Sequence, residues 1–227
     1  AQDRPAVSVE LLLKKAKISI AENELERAES ELRQLLGVVL EDLGDSYSVL
    51  GDKELALKAY REASQASIIN DRPLLALTRF CIRNGYYDLG KDAVEKLLAI
   101  NPIHPIGRYL LGNLQILTGE FEQASHVLKD AYLAAPENSD IGLALAYSYL
   151  VRKDLKNGLP LIEKLYSGDS SSPEMSLVIG RILLETGHFS KAVEYLESAR
   201  NSGLNSAGKY LERAVAAVSY THLTLPT

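Results

Sequence analysis

The chain has 227 residues, of which 46% are hydrophobic and 24% are charged, and its formal net charge at pH 7 is −5. This is the composition of an ordinary soluble protein, and the absence of a basic excess argues against a nucleic-acid partner. No apolar run approaches the roughly 18 residues of a membrane span. The single cysteine, Cys81, excludes an internal disulfide and leaves both the cytoplasm and the bacterial periplasm open as compartments.

A 34-residue period runs along the chain. Glycines that follow predicted helical runs lie at positions 51, 85, 119 and 187, at intervals of 34, 34 and 68. An aliphatic column lies eight residues before the glycine position and is followed directly by a column of small residues. A second column of small residues lies five residues after the glycine position. These columns are Leu43, Leu77, Leu111, Leu145 and Ile179; Gly44, Thr78, Gly112, Ala146 and Gly180; and Ala56, Gly90, Ala124, Gly158 and Ala192. Such a period predicts tandem copies of one supersecondary unit.

Each column has a role in a pair of antiparallel helices. Small residues let the two helices approach closely, and the glycine position ends the first helix in a left-handed conformation that suits glycine alone. Lys153 occupies this column in one repeat, so the hairpin there must turn in another way or bear strain. Pro102 and Pro136, also 34 residues apart, end second helices. Because no segment alternates like a strand, the predicted fold is all-α.

The stretches from Leu43 to Ala63 and from Leu111 to Pro136 resemble the tetratricopeptide repeat. The resemblance implies an α-solenoid of about six antiparallel helix pairs in a right-handed superhelix, with turns at the glycine column and at Lys153. Its units lie near residues 9–36, 37–70, 71–104, 105–138, 139–172 and 173–206, with a partial unit at 207–217. The first unit is degenerate and lies six residues too close to the second, which predicts a tighter or differently angled junction.

The two ends of the chain depart from the repeat. The chain begins with Ala1, and its first three residues are compatible with signal-peptidase cleavage or with the interrupted edge of a longer reading frame. Residues 218–227 abandon the pattern and resemble the translated transposon-end adapter used in sequencing libraries. We therefore expect a fragment of a longer protein with a non-native tail at 218–227; the alternative is a genuine polar cap.

No combination of residues predicts a catalytic centre, a metal site or a cofactor. His104, His126 and His188 lie in different repeats without metal-ligand spacing, and Cys81 fits best as a small side chain packed between helices. The acidic residues between Glu22 and Glu31 are more simply a solvated helix face than a catalytic carboxylate pair. We therefore expect a protein that is not an enzyme and that has no cofactor.

The resemblance also implies a concave groove lined by four columns of the first helix of each unit. In this chain the columns combine arginine, tyrosine and aliphatic side chains, which is typical of protein-binding hot spots. The predicted partner-binding groove comprises Arg72, Leu75, Arg79, Ile82, Ile106, Tyr109, Asn113, Ile116, Leu143, Tyr147, Leu150, Leu177 and Arg181. We expect a protein or peptide partner to bury Tyr109, Leu143 and Tyr147, with Arg79 and Arg181 contacting acidic groups.

Two functions fit this sequence. The first is a non-catalytic scaffold that binds a peptide or protein segment in the concave groove. The second is a recognition or assembly module of a bacterial envelope export or polysaccharide-secretion system, truncated from a larger protein. The version of this repeat that clamps a chaperone tail is not favoured, because Asp140 stands where that clamp needs a cation.

Overall fold

The computed structural model describes residues 9–66, 71–166 and 172–224. Within these ranges the chain forms twelve α-helices, one short 3-10 helix at Asn205–Ala207 and no β-strand. The helices are α1 (Val9–Ala21), α2 (Leu25–Leu50), α3 (Lys53–Ala66), α4 (Arg72–Asn84), α5 (Tyr87–Ile100), α6 (Pro105–Leu117), α7 (Phe121–Ala134), α8 (Ser139–Val151), α9 (Leu155–Tyr166), α10 (Pro173–Glu185), α11 (Phe189–Asn201) and α12 (Gly208–Thr224). Helices adjacent in sequence pack in pairs, which confirms the predicted all-α fold of helical hairpins.

The turns lie where the 34-residue period predicts them. Gly51, Gly85, Gly119 and Gly187 adopt φ angles of 83°, 80°, 82° and 84°, in the left-handed region. Lys153 has a φ of 60°, so the hairpin between α8 and α9 keeps the common turn, and the lysine bears the strain that glycine avoids.

Paired helices approach each other closely at the small-residue columns. A Cβ atom at Gly158 would lie 2.7 Å from Leu150 Cδ2, and one at Gly44 would lie 2.9 Å from two ring carbons of Tyr60. The alanines of the same columns, Ala56, Ala124, Ala146 and Ala192, have no exposed surface. Larger side chains here would push the helices apart.

Helix α2 replaces the junction expected between segments 9–36 and 37–70. The structure has no turn there: α2 runs without a break for 26 residues, about 39 Å. In its first half Glu31 accepts a hydrogen bond from the Ser19 hydroxyl of α1, and in its second half Asp45 accepts one from the Tyr60 hydroxyl of α3. The six missing residues have removed the loop between two hairpins, so the second helix of one hairpin continues as the first helix of the next.

The chain divides into two compact units, one ending at Leu114 and the other beginning at Gln115. The first unit has a core that includes Tyr60, Phe80, Cys81, Val94, Leu97 and Leu114. The second has its own core, which includes Leu150, Ile162, Ile179, Leu183, Leu196 and Ala214. No described helix is long and apolar enough to cross a membrane.

The expected non-native tail at 218–227 falls partly outside the described residues. Helix α12 continues to Thr224, and residues 225–227 are not described. The nature of this segment stays a prediction.

Candidate functional site

The first unit carries an open groove across α2, α4 and α6. Its volume is about 670 Å³. The second half of α2, α4 and α6, each the first helix of a hairpin, supply most of its walls. The lining residues are Glu41, Asp45, Ser48, Val49, Tyr60, Ala76, Arg79, Ile82, Arg83, Tyr109, Leu110 and Asn113.

Helix α4 gives the groove a basic side. Arg79 and Arg83 both line it, and their spacing of four residues places them one above the other on the same helix face. Both are exposed. In the described part of the chain, neither arginine forms an ion pair or a side-chain hydrogen bond. Their guanidinium groups are thus available to a ligand.

The acidic side chains of the groove, by contrast, already have internal partners. Glu41 Oε1 accepts a hydrogen bond of 2.9 Å from Arg72 Nε, and Glu41 is only 4% exposed. The Tyr60 hydroxyl donates to Asp45 Oδ1 at 2.6 Å. Burial, together with this hydrogen bond, raises the pKa of Tyr60, so the phenol remains a protonated donor. Among the described residues, the charged groove side chains that have no internal partner are therefore the two arginines of α4, which are positive.

Helix α6 adds an aromatic ring and an amide to the groove. Tyr109 and Asn113 are half-buried and one helical turn apart. Tyr109 packs against the core of the first unit, which holds its ring while leaving part of it open to the groove. The Asn113 amide can both donate to and accept from a peptide backbone.

The start of α6 is anchored by His104. Its Nδ1 accepts a hydrogen bond of 3.1 Å from the Gly107 backbone N–H, so Nε2 carries the proton and donates to Asp71 Oδ2 at 3.0 Å. Asp71 directly precedes α4. His104 thus joins the starts of the two helices that carry the arginines and Tyr109.

The structure places the predicted residues of the first unit in three environments. Arg79, Ile82, Tyr109 and Asn113 line the groove. Arg72 is held in the ion pair with Glu41. Leu75 and Ile106 are half-buried against the core.

Three charged lining residues were missed by the sequence prediction: Glu41, Asp45 and Arg83. Glu41 and Asp45 lie 34 residues before Leu75 and Arg79, so the repeat period places them in the same groove columns and is sufficient to predict both. Arg83 lies outside those columns, and the signal for it is its spacing of four residues from Arg79, which predicts a shared helix face.

In the second unit the predicted residues divide between surface and core. Tyr147 is half-buried, and its burial raises its pKa. The Arg181 guanidinium lies 4.9 Å from the centre of the Tyr210 ring, a cation–π contact that occupies one face of the group. Ile116 and Leu177 are half-buried.

Two leucines that were predicted to line the groove are buried instead. Leu150 has no exposed surface and Leu143 is 8% exposed. Leu150 is buried because Gly158, on the paired helix, has no side chain and leaves the space that the leucine fills. Leu150 belongs to the core of the second unit, and Leu143 packs in the same core.

The described residues contain no group of three or more histidine, cysteine or acidic side chains that could hold a metal ion. Cys81 is fully buried, and burial raises the pKa of its thiol to about 11. A buried, protonated thiol is a packing residue rather than a nucleophile.

Solved tetratricopeptide repeat proteins have the same fold. A thermophilic protein of this type from Thermus thermophilus superposes with a TM-score of 0.63 at 19% identity, covering 80% of this chain and 98% of its own. One from Parabacteroides merdae gives 0.62 at 18% identity over 93% of this chain and 86% of its own. YrrB, described as such a protein with an unusual peptide-binding site, gives 0.58 at 16% identity over 79% of this chain and 90% of its own.

Among curated proteins, the chain is similar to lipopolysaccharide assembly protein B of Escherichia coli strain K12. The two are 24% identical over 164 residues, which cover 68% of this chain. The same match recurs in the O157:H7 strain. The matched region spans 42% of the length of these relatives. No family model matches the chain. The superpositions with solved structures show that the chain has the fold of the tetratricopeptide repeat proteins.

Proposed function

We propose that this protein is a non-catalytic interaction module that binds an extended, acidic peptide segment in the groove of its first unit. The observation that carries the proposal is the pair of arginines, Arg79 and Arg83, which face the groove without an ion pair in the described residues. An arginine that lines a groove and has no internal partner is well suited to bind a carboxylate, because its guanidinium offers several hydrogen-bond donors in one plane.

Helix α6 supplies what an extended backbone needs. Tyr109 offers a large, partly fixed aromatic surface at low cost in rotamer entropy. Asn113, one turn away, can bind a backbone N–H and C=O together. We propose that acidic side chains of the peptide contact α4 while its backbone lies along α6.

The internal hydrogen bonds of Asp45 and Glu41 make the proposed site selective for acidic peptides. Asp45 accepts from Tyr60 and Glu41 from Arg72, so these carboxylates do not neutralise Arg79 and Arg83 by direct contact. They do, however, give the α2 side of the groove a negative potential. Arg79 and Arg83 on α4 would repel a basic peptide. The carboxylates of α2 would repel the acidic side chains of the bound peptide, so these side chains would lie on the α4 side of the groove.

Selection from a library of random 12-residue peptides tests this proposal without knowledge of the natural partner. We expect peptides retained by the wild-type chain to be enriched in aspartate and glutamate. The same selection on an Arg79→Ala/Arg83→Ala variant should lose that enrichment. An Arg200→Ala/Arg213→Ala variant, which removes two exposed arginines of the second unit, should keep it. Selection of basic or purely apolar peptides by the wild type would contradict the proposal.

A second candidate function is a recognition or assembly module of a bacterial envelope system. The observation that favours it is the similarity to lipopolysaccharide assembly protein B over 68% of this chain. In this case the groove ligand would be a segment of another envelope-assembly protein, and the chain would be one module of a larger protein.

Deletion of the gene in its source organism tests this second candidate. We expect a changed amount or length distribution of surface lipopolysaccharide or exported polysaccharide on gels. The wild-type gene should restore it, whereas the gene with Arg79→Ala/Arg83→Ala should not. An unchanged envelope after deletion would exclude this function.

A further inference from the structure

Helix α2 carries an exposed apolar stripe along its whole length. The stripe residues follow one another at intervals of seven, four, three, four and seven, which places them on one face of the helix. They are Leu25 (64% exposed), Leu32 (41%), Leu36 (51%), Val39 (46%), Leu43 (41%) and Leu50 (79%). The groove residue Asp45 is two positions from Leu43 and so lies on the other side of the helix.

The equivalents of Leu32 and Leu43 in the other hairpins are mostly buried. The position of Leu32 is filled elsewhere by residues that are at most 1% exposed: Tyr60, Val94, Leu128, Ile162 and Leu196. The position of Leu43 is filled by Leu77, Leu145 and Ile179, at 6%, 3% and 0%, and by Leu111, which is half-buried. The chemistry of these columns is therefore that of a packed interface, and in α2 the covering hairpin is missing.

The continuous helix explains why cover is missing. In an ordinary junction, the second helix of one hairpin packs against the first helix of the next; a Cβ at Gly107 of α6 would lie 3.1 Å from Leu98 Cδ2 of α5. In α2 these two helices are fused end to end, so they cannot fold back on each other. Leu36 is the equivalent of Leu98, and Val39 is the equivalent of Gly107.

The stripe is also symmetric about the middle of α2. Measured from the centre between Gly37 and Val38, Leu36 and Val39 are equidistant, and so are Leu32 and Leu43, and Leu25 and Leu50. In an antiparallel pair of α2 helices, every stripe residue would face an apolar residue of the other copy. A patch that complements itself in this way is what a two-fold symmetric interface requires.

We propose that α2 pairs antiparallel with α2 of a second copy of this chain. The α1 hairpin of each copy then covers the second half of α2 in the other, so that Leu36 of one copy meets Val39 of the other as Leu98 meets Gly107 within the chain. Each copy supplies the neighbour that the other lacks, which is the logic of a domain-swapped dimer. The proposal is independent of the groove ligand.

The mass of the chain in solution tests the dimer. Light scattering coupled to gel filtration should give twice the chain mass of 24.9 kDa. Leu43→Glu should return the mass to that of one chain while circular dichroism remains helical. Leu133→Glu, at an exposed leucine of α7 (69%), is the matched control and should leave the dimer intact. A wild-type chain that stays monomeric at all concentrations would overturn the proposal.

Cross-linking tests the antiparallel register even where a charged variant disturbs folding. A Leu32→Cys/Leu43→Cys chain should form covalent dimers with a short bis-maleimide. The Leu32→Cys and Leu43→Cys single variants should link only when mixed with each other, because each position faces the other across the interface. Efficient linking within Leu32→Cys alone would show a parallel pairing and overturn the proposal.

Discussion

The side chain of Leu196 on α11 occupies the space that a side chain at Gly180 on α10 would need. A Cβ atom at position 180 would lie 2.6 Å from Leu196 Cγ and 3.3 Å from its backbone nitrogen. Leu196 has no exposed surface, so it cannot move aside into solvent. Overpacking usually costs about 1–3 kcal/mol, and contact with a backbone atom as well as a buried side chain favours the upper part of this range. Alanine regains roughly 1 kcal/mol because it favours a helix over glycine, so we expect Gly180→Ala to destabilise the second unit by a net of about 1–2 kcal/mol.

Urea unfolding followed by circular dichroism at 222 nm measures this effect. The control is Gly208→Ala, because Gly208 begins α12 with helical backbone angles and a Cβ there would meet nothing within 4 Å. That variant should be as stable as the wild type or slightly more stable. Equal stability of Gly180→Ala and the wild type would show that α10 and α11 are not closely packed at this point.

The strained turn at Lys153 predicts a stabilising substitution. A left-handed conformation costs a non-glycine residue about 1–2 kcal/mol. Glycine avoids this cost, but its greater flexibility in the unfolded chain offsets part of the gain in stability. We expect Lys153→Gly to stabilise the protein by about 0.5–1 kcal/mol in urea unfolding. Lys156→Gly, within α9, should instead destabilise it by about 1 kcal/mol. A loss of stability in Lys153→Gly would contradict the assignment of the turn.

The buried thiol of Cys81 predicts slow chemistry in the native state. With its pKa raised to about 11 by burial, only about 0.1% of the thiol is ionised at pH 8, and that fraction rises tenfold per pH unit until the pKa. We expect almost no reaction of the native chain with Ellman's reagent at pH 8 and one prompt equivalent in urea. The variant Leu133→Cys, with a second and exposed thiol, should react at once. Prompt reaction of native Cys81 would show that the first unit opens readily.

The hairpin turns could be predicted from the sequence, whereas the shared helix could not. Gly51, Gly85, Gly119 and Gly187 mark the turns because a left-handed residue is needed at each one. The continuity of α2 has no such local marker. Its only trace was the six-residue shortfall, which is compatible with a tight turn as well as with no turn. Helical spacing continues through either arrangement.

Part of the lining of the candidate groove follows from the sequence, and partner binding there stays a prediction. Arg79, Tyr109 and Asn113 follow from their columns, because a column fixes which face of a helix a residue lies on. A column does not fix what stands opposite. Leu150 was therefore misassigned, since its burial depends on the absence of a side chain at Gly158. The internal partners of Glu41 and Asp45, which leave the positive charge available, depend on side-chain geometry that spacing does not encode.

The affinity of the wild-type chain for a fluorescein-labelled acidic peptide from the library tests the account most directly. Fluorescence anisotropy in low salt gives the dissociation constant for the wild type, for Arg79→Ala/Arg83→Ala and for Arg200→Ala/Arg213→Ala. Both variants lose two positive charges, so only the position of the charges differs. We expect the groove variant to bind at least about tenfold more weakly, the control to stay within about twofold, and wild-type binding to weaken as salt is raised. Equal affinity of the two variants would contradict the assignment of the groove as the binding site.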